Sequence, residues 1–160
     1  MPQHEDQQSR EQLWKEIIID HNQFPRCHGR VENPSHEGRG ENPFCGDRVN
    51  LQIKLDDEGC ISDIGFEATG CAISLSSASL LSANVAGKNR DQAIGIFNSV
   101  RDLLTKGDEQ KPDDLKPHDL GELEALALVR KYPARVKCAS LVWHVLKNAL
   151  EDGQDVATTE

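Results

Sequence analysis

Cys45 and Asp47 stand two positions apart around Gly46 in "PFCGDRV", residues 43–49, just ahead of a stretch that alternates like a β-strand. A thiol and a carboxylate at that spacing on an extended or turning backbone can be aimed at one point, and the glycine between them keeps a side chain out of it. That arrangement suits a metal corner, and it suits an ordinary tight turn equally well. Two further thiols, Cys71 and Cys138, fall where helices are expected to begin, and Arg135 precedes Cys138 by three positions. A helix N-terminus favours the thiolate, and a nearby guanidinium adds to that preference. Three thiolates and one carboxylate fit tetrahedral zinc and can also hold iron and sulfide. Spacing alone leaves the choice open, because there is no Cys-x-x-Cys pair and a cysteine at a helix start can be an inert small hydrophobe.

These four groups need elements to carry them. Ser9 and Gln12 have capping-box spacing and are followed by Leu13, Ile17 and Ile18, which predicts a helix over about 9–21. Residues 22–42 are rich in Gly, Pro, Asn and His, which reads as a long loop with at most one short strand near Gly29–Glu32. Val49, Leu51, Ile53 and Leu55 alternate with polar residues, and "DDEG" then turns the chain into "CISDIGFEA", predicting a hairpin of two antiparallel strands. A small-residue helix follows Cys71 and is closed by Gly87, and another spans 89–105 with Ala93, Ile96, Phe97, Val100 and Leu104 on one side. After a charged, proline-broken connector, helix returns over Leu120–Lys131, is interrupted at Pro133, and resumes near Cys138 with Leu141, Val142, Val145, Leu146, Ala149 and Leu150 on one face. The expected fold class is α+β, a small three-stranded antiparallel sheet packed with about five helices. It is expected to form one domain over residues 9–151, between a flexible N-terminus (1–8) and a patternless, disordered tail (152–160).

Composition narrows the function classes. The formal charge of −9, from 27 acidic and 18 basic residues, repels phosphate backbones and anionic headgroups, so neither nucleic acid nor a membrane surface is an expected partner. Residues 1–12 hold no apolar signal core and no stretch reaches the roughly 20 apolar residues of a membrane span. A cytoplasmic location is expected. Five cysteines, an odd number without a secretory signal, favour free thiols, catalysis or metal over a disulfide framework.

The segments "LWKEIIIDHNQFPRCHG", "NPFCGDRVNLQIKLDDEGCISDIGFEATGCAIS" and "RVKCASLVW" resemble the NifU N-terminal/IscU-like superfamily, and within it the SufU branch, over about residues 13–150. The resemblance implies an IscU/NifU-N-like fold and lays the family's three cysteines and aspartate on Cys45, Asp47, Cys71 and Cys138. The iron–sulfur scaffold branch has a histidine before its third cysteine and a shorter span between its second and third. Here that neighbour is Lys137, and 67 positions separate Cys71 from Cys138. Both departures favour the SufU branch, which implies a zinc-dependent sulfur acceptor that takes persulfide sulfur from a pyridoxal-phosphate cysteine desulfurase of the SufS type. The sulfur would then pass toward downstream iron–sulfur assembly proteins. On that reading Cys45, hinged by Gly46 beside a long loop, is the thiol that carries sulfur, and Arg135 falls on a basic position used at the branch's site. Whether this amounts to enzymatic sulfurtransferase activity is left open. The rival implications are a scaffold that assembles a [2Fe–2S] cluster on the same residues, and a structural zinc adaptor that activates the desulfurase.

The remaining candidates carry plainer expectations. Cys60, in the hairpin turn, reads as an incidental thiol. Cys27 with His28 and His21 could suggest a second metal, but loop histidines are usually solvated. His144, Trp14 and Trp143 read as packing residues on helices.

Overall fold

The computed structural model describes residues 2–43, 46–105, 121–151 and 157–158. Helix α1 (Pro2–Gln23) starts well ahead of the Ser9 expected to cap it. Pro2 suits a first helical position because it lacks the N–H that has no partner there. The inward stripe of α1 is Trp14, Ile17, Ile18 and His21, while Leu13 is exposed. Those positions follow the i, i+3, i+4, i+7 rule of a single helical face, from which Leu13 is one residue out of phase.

The sheet has the order β3-β2-β1-β4. Strands β2 (Asp47–Leu55) and β3 (Ile61–Thr69) form the expected antiparallel hairpin, burying Val49, Leu51 and Ile53 from one and Ile61, Ile64 and Phe66 from the other. A bulge between Lys54 and Leu55 lets the partly buried Leu55 leave the alternation. Strand β1 (His36–Asn42) corrects the sequence reading, which placed a short strand near Gly29–Glu32. Its segment, "HEGRGEN", has no large apolar residue because helix α4 (Pro133–Leu150) lies almost on its backbone: a Cβ at Gly38 would sit 2.9 Å from Val145 Cγ1 and 3.2 Å from Ala149 Cβ. Glycine here is what permits the helix to approach. Within the tail, Ala157–Thr158 form β4 and pair in parallel with Gly40–Glu41.

Helix α2 (Ala72–Val85) is the buried centre of the helical layer, packed against α1, α4 and β3, and Gly87 follows its end with φ +82°, as expected of a C-terminal glycine. Its serines replace bulk with hydrogen bonds to neighbouring elements. Ser76 donates to the Ile18 carbonyl (2.9 Å), and Ser77 donates to the Ala139 carbonyl (2.6 Å) and accepts from Trp143 Nε1 (3.1 Å). Ser79 Oγ lies 2.7 Å from His21 Nδ1, and His21 Nε2–H donates to Glu122 (2.8 Å), joining α1, α2 and the following 3-10 helix. Helix α3 (Arg90–Thr105) covers the end of the layer with Ala93, Phe97, Val100, Leu103 and Leu104. Gly121–Lys131, expected as an ordinary helix, is a 3-10 helix. Leu123, Leu126 and Val129 are all buried, and their spacing of three matches a helix with three residues per turn. Pro133 begins α4 at a position where no N–H is needed, rather than interrupting a helix. Among the described residues no helix is long and apolar enough to cross a membrane.

Candidate metal centre

The N-terminal ends of β2, α2 and α4 meet at one point. Asp47 opens β2 with its side chain buried, Cys71 is the N-cap residue of α2, and Cys138 lies in α4, fully buried. One carboxylate oxygen and the two sulfurs all fall within 4.8 Å of one another. Asp47 accepts the Cys71 backbone N–H on Oδ1 at 2.8 Å and faces the Cys71 sulfur with Oδ2 at 3.7 Å. A tetrahedral ion with metal–sulfur bonds of about 2.3 Å and metal–oxygen bonds of about 2.1 Å has ligand–ligand edges of roughly 3.6–3.8 Å. The Cys71–Asp47 separation falls on that edge. Anionic oxygen and sulfur donors suit zinc, and the described residues could supply three of the four positions of such a site.

Gly70 makes the approach possible. It holds φ +128°, and an added Cβ would fall onto Asp47 Oδ1 and lie 2.8 Å from its Cα. A residue with a side chain at position 70 would therefore push the carboxylate off the site. The polar group on the other flank is Asn42, the last residue of β1, whose Nδ2 donates toward Cys138 Sγ at 3.7 Å. Asn42 pairs in register with Asp47, so the two residues that bracket the β1–β2 connection each touch one of the thiols.

Cys138 corrects the expectation that it opens a helix. Helix α4 starts at Pro133, which puts Cys138 in the second turn, beyond the reach of the strongest N-terminal field. What reaches it instead is Arg135, in the first turn of α4 and one turn earlier on the same side. The guanidinium is exposed, and its pKa is raised chiefly by the charge of Cys71, and further by hydrogen bonding to Cys71 and to Cys138 and the charge of Cys138. Electrostatically, Arg135 belongs to both thiols.

Cys45 lies outside the described residues. Asp47, Cys71 and Cys138 are brought together, whereas Cys27, Cys60, His21 and His28 are not part of the cluster. His21 is committed to Ser79 and Glu122, and the His28 ring stands edge-on to Phe66 at 5.4 Å. Cys27 sits at φ +60° with its thiol pKa raised by burial and then by Asp63, the opposite of an activated thiol. Cys60 donates its backbone N–H to Asp56 Oδ1 at 2.9 Å in the β2–β3 turn. Sequence reasoning missed Gly70 and Asn42 as parts of the site. The run Thr69-Gly70-Cys71 carried a signal, because a glycine directly before an N-cap cysteine marks a backbone that something approaches closely.

The NifU-like N terminal domain model matches residues 13–139 of the chain. The chain is 41% identical over 143 residues to the zinc-dependent sulfurtransferase SufU of Bacillus subtilis (strain 168), covering 88% of this chain and 92% of that one. It is 33% identical over 139 residues to the iron–sulfur cluster assembly scaffold protein IscU of Streptococcus pyogenes serotype M1, covering 87% and 83%. A crystal structure from Fervidobacterium islandicum AW-1, described as an iron–sulfur cluster assembly scaffold for the SUF system, superposes with a TM-score of 0.74 at 30% identity, over 84% of this chain and 94% of the other.

Proposed function

The chain belongs to the NifU-like N terminal domain family and has a role in iron–sulfur cluster assembly, and on that footing we propose that it is a zinc-dependent sulfur acceptor for a cysteine desulfurase. The observation that carries this reading is the convergence of one Asp47 carboxylate oxygen, Cys71 Sγ and Cys138 Sγ within 4.8 Å at the start of β2, beside an exposed arginine. Cys45, which belongs by sequence to the connection between Asn42 and Asp47, is the proposed fourth ligand and the thiol that carries sulfur. Zinc, when bound, holds its ligating sulfurs as thiolates and keeps them from oxidation. A carboxylate in the ligand set makes the site easier to open than four thiolates would, which suits exchange.

In the transfer step, the Cys45 thiolate attacks the terminal sulfur of a persulfide on the desulfurase. A new sulfur–sulfur bond forms at Cys45, the one on the desulfurase breaks, and the desulfurase cysteine leaves as a thiolate, so the exchange needs no external oxidant. Asp47, Cys71 and Cys138 remain in place, held by the ends of β2 and α2 and by α4. Arg135, charged and exposed at the rim, attracts the anionic persulfide and orients the docking partner. We place the exchange in the cytoplasm, where the free thiols Cys27, Cys60 and Cys71 suit a reducing compartment.

The experiment is brief incubation with a SufS-type desulfurase and cysteine, alkylation, and peptide mass spectrometry, alongside metal analysis of protein purified without chelators. The expected result is about one zinc per chain and an additional sulfur on Cys45. Sulfur found on Cys71 or Cys138 and never on Cys45 overturns the assignment of the carrier. The likeness to IscU scaffolds favours one second reading, assembly of a [2Fe–2S] cluster on the same residues. Stoichiometric iron and acid-labile sulfide without zinc, in protein isolated anaerobically, would establish it in place of the first.

A further inference from the structure

Among the described residues, one buried side-chain polar atom has no hydrogen-bond partner, the hydroxyl of Ser74. The other buried serines of α2 show how a hydroxyl in this helix is normally satisfied: Ser76 reaches α1, Ser77 reaches α4, and Ser82 donates back to the Ala78 carbonyl at 2.9 Å. Ser74 does none of these, and as the third residue of α2 it has no helical carbonyl four residues back to turn to. Natural proteins seldom leave such a group unpaired unless something is meant to meet it.

Its place on the helix says what that is. Ser74 is three residues after the N-cap Cys71 and three before Ser77, so it shares the side of α2 that Ser77 occupies, one turn nearer the helix start. Ser77 fixes where that side points, because its hydroxyl donates to the carbonyl of Ala139, the residue after Cys138. Ser74, one turn nearer the N-terminus of α2 and about 60° around the helix from Ser77, is thereby turned toward the same α4-facing side. Cys138 Sγ receives Asn42 Nδ2, meets the Arg135 guanidinium at the rim, and itself points toward the Ala134 carbonyl at 3.6 Å. A sulfur that ligates a metal is an acceptor only, so it gives up that carbonyl and, as a thiolate, attracts a hydroxyl donor more strongly than the thiol does.

We infer that Ser74 is a positioning residue of the metal centre, whose hydroxyl turns onto the Cys138 sulfur when that sulfur ligates a metal, so that Asn42 and Ser74 hold the ligand from two sides. This rests on the metal-site part of the proposed function. Donors to ligand atoms outside the coordination shell orient the ligand and typically change metal affinity by about 10- to 100-fold.

The test compares the full-length wild type with Ser74→Ala in three measurements: zinc affinity by competition with a chromophoric chelator, the sulfur-to-metal absorption band of the cobalt(II)-loaded protein, and thermal unfolding of the metal-free chain. In the Ser74→Ala chain we expect one zinc bound about tenfold more weakly and a cobalt band moved to longer wavelength, since a thiolate without its donor gives up electron density more readily. The metal-free midpoint should be no lower than wild type, because an unpaired hydroxyl has been removed. Ser76→Ala, which loses the bond to Ile18, should lower the metal-free midpoint and leave the band in place. Equal zinc affinity and an unmoved band in Ser74→Ala overturn the inference while leaving the zinc site standing. A lowered metal-free midpoint assigns Ser74 to packing and overturns it as well. A wild type that binds no zinc overturns the proposed function and this inference together.

Discussion

The buried carboxylate of Asp47 accepts the backbone N–H of Cys71 on Oδ1 at 2.8 Å while its Oδ2 faces the Cys71 sulfur at 3.7 Å, so one side chain both caps the start of α2 and sets the spacing of two metal donors. The N-cap residue itself makes no side-chain cap bond. The thiol is thereby left available, and the task of satisfying the helix end passes to a residue on β2.

Gly70→Ala is expected to remove metal binding without unfolding the chain. The new Cβ would occupy the position of Asp47 Oδ1, and alanine is strained at φ +128°. Zinc affinity should fall by roughly 100-fold or more, by analogy with the loss of positioning groups around metal ligands. Chelator competition and far-UV circular dichroism check this, with a wild-type affinity counting against it.

Cys138→Ser is expected to abolish metal-dependent stabilisation, whereas Cys60→Ser is expected to leave it intact. Free zinc at a thousandfold excess over Kd stabilises a binding-competent fold by about 4 kcal/mol. Thermal unfolding with and without zinc should show that gap in the wild type and in Cys60→Ser, and its absence in Cys138→Ser.

Arg135→Ala is expected to separate docking from metal retention. The guanidinium is exposed and interacts with both thiols from outside the donor set. Zinc content should stay near one per chain while the rise in desulfurase turnover produced by this protein drops several-fold. A variant that stimulates turnover like the wild type would remove Arg135 from the proposed mechanism.

His144 gives the fold a pH dependence that the metal centre does not explain. Its ring meets Phe97 at 5.5 Å, and its pKa is lowered, first by burial, then by Lys147 and Arg101. The unfolded chain therefore takes up this proton at a higher pH than the folded one, near the ordinary value of about 6.5. The contribution to stability is present above that value and is lost as the pH falls toward the lowered folded-state pKa. Denaturant unfolding of the metal-free chain between pH 7.5 and 5.5 should show a smaller loss of stability in His144→Gln than in the wild type. Identical slopes would contradict the assignment.

The hairpin β2–β3 and the inward faces of α3 and α4 were legible from residue patterns because each buries large apolar side chains at the period of its element. So was the candidate donor set, since thiols beside a carboxylate and a glycine are rare enough in a chain of this composition to be noticed one by one. Family resemblance then supplied the expectation that they belong together. What the patterns could not carry was decided by partners distant in sequence. Strand β1 has glycine where a hydrophobic residue would normally announce a strand, because Val145 and Ala149 of α4 occupy the space a side chain would need at Gly38. The start of α1, the depth of Cys138 inside α4 and the unpaired hydroxyl of Ser74 likewise depend on how helices are seated against one another. Local sequence determines which residues are able to ligate a metal and which segments coil or extend. Only the packing of α2 and α4 against the ends of β1 and β2 decides that Asp47, Cys71 and Cys138 share one point, because their separation along the chain carries no record of the short distances through space.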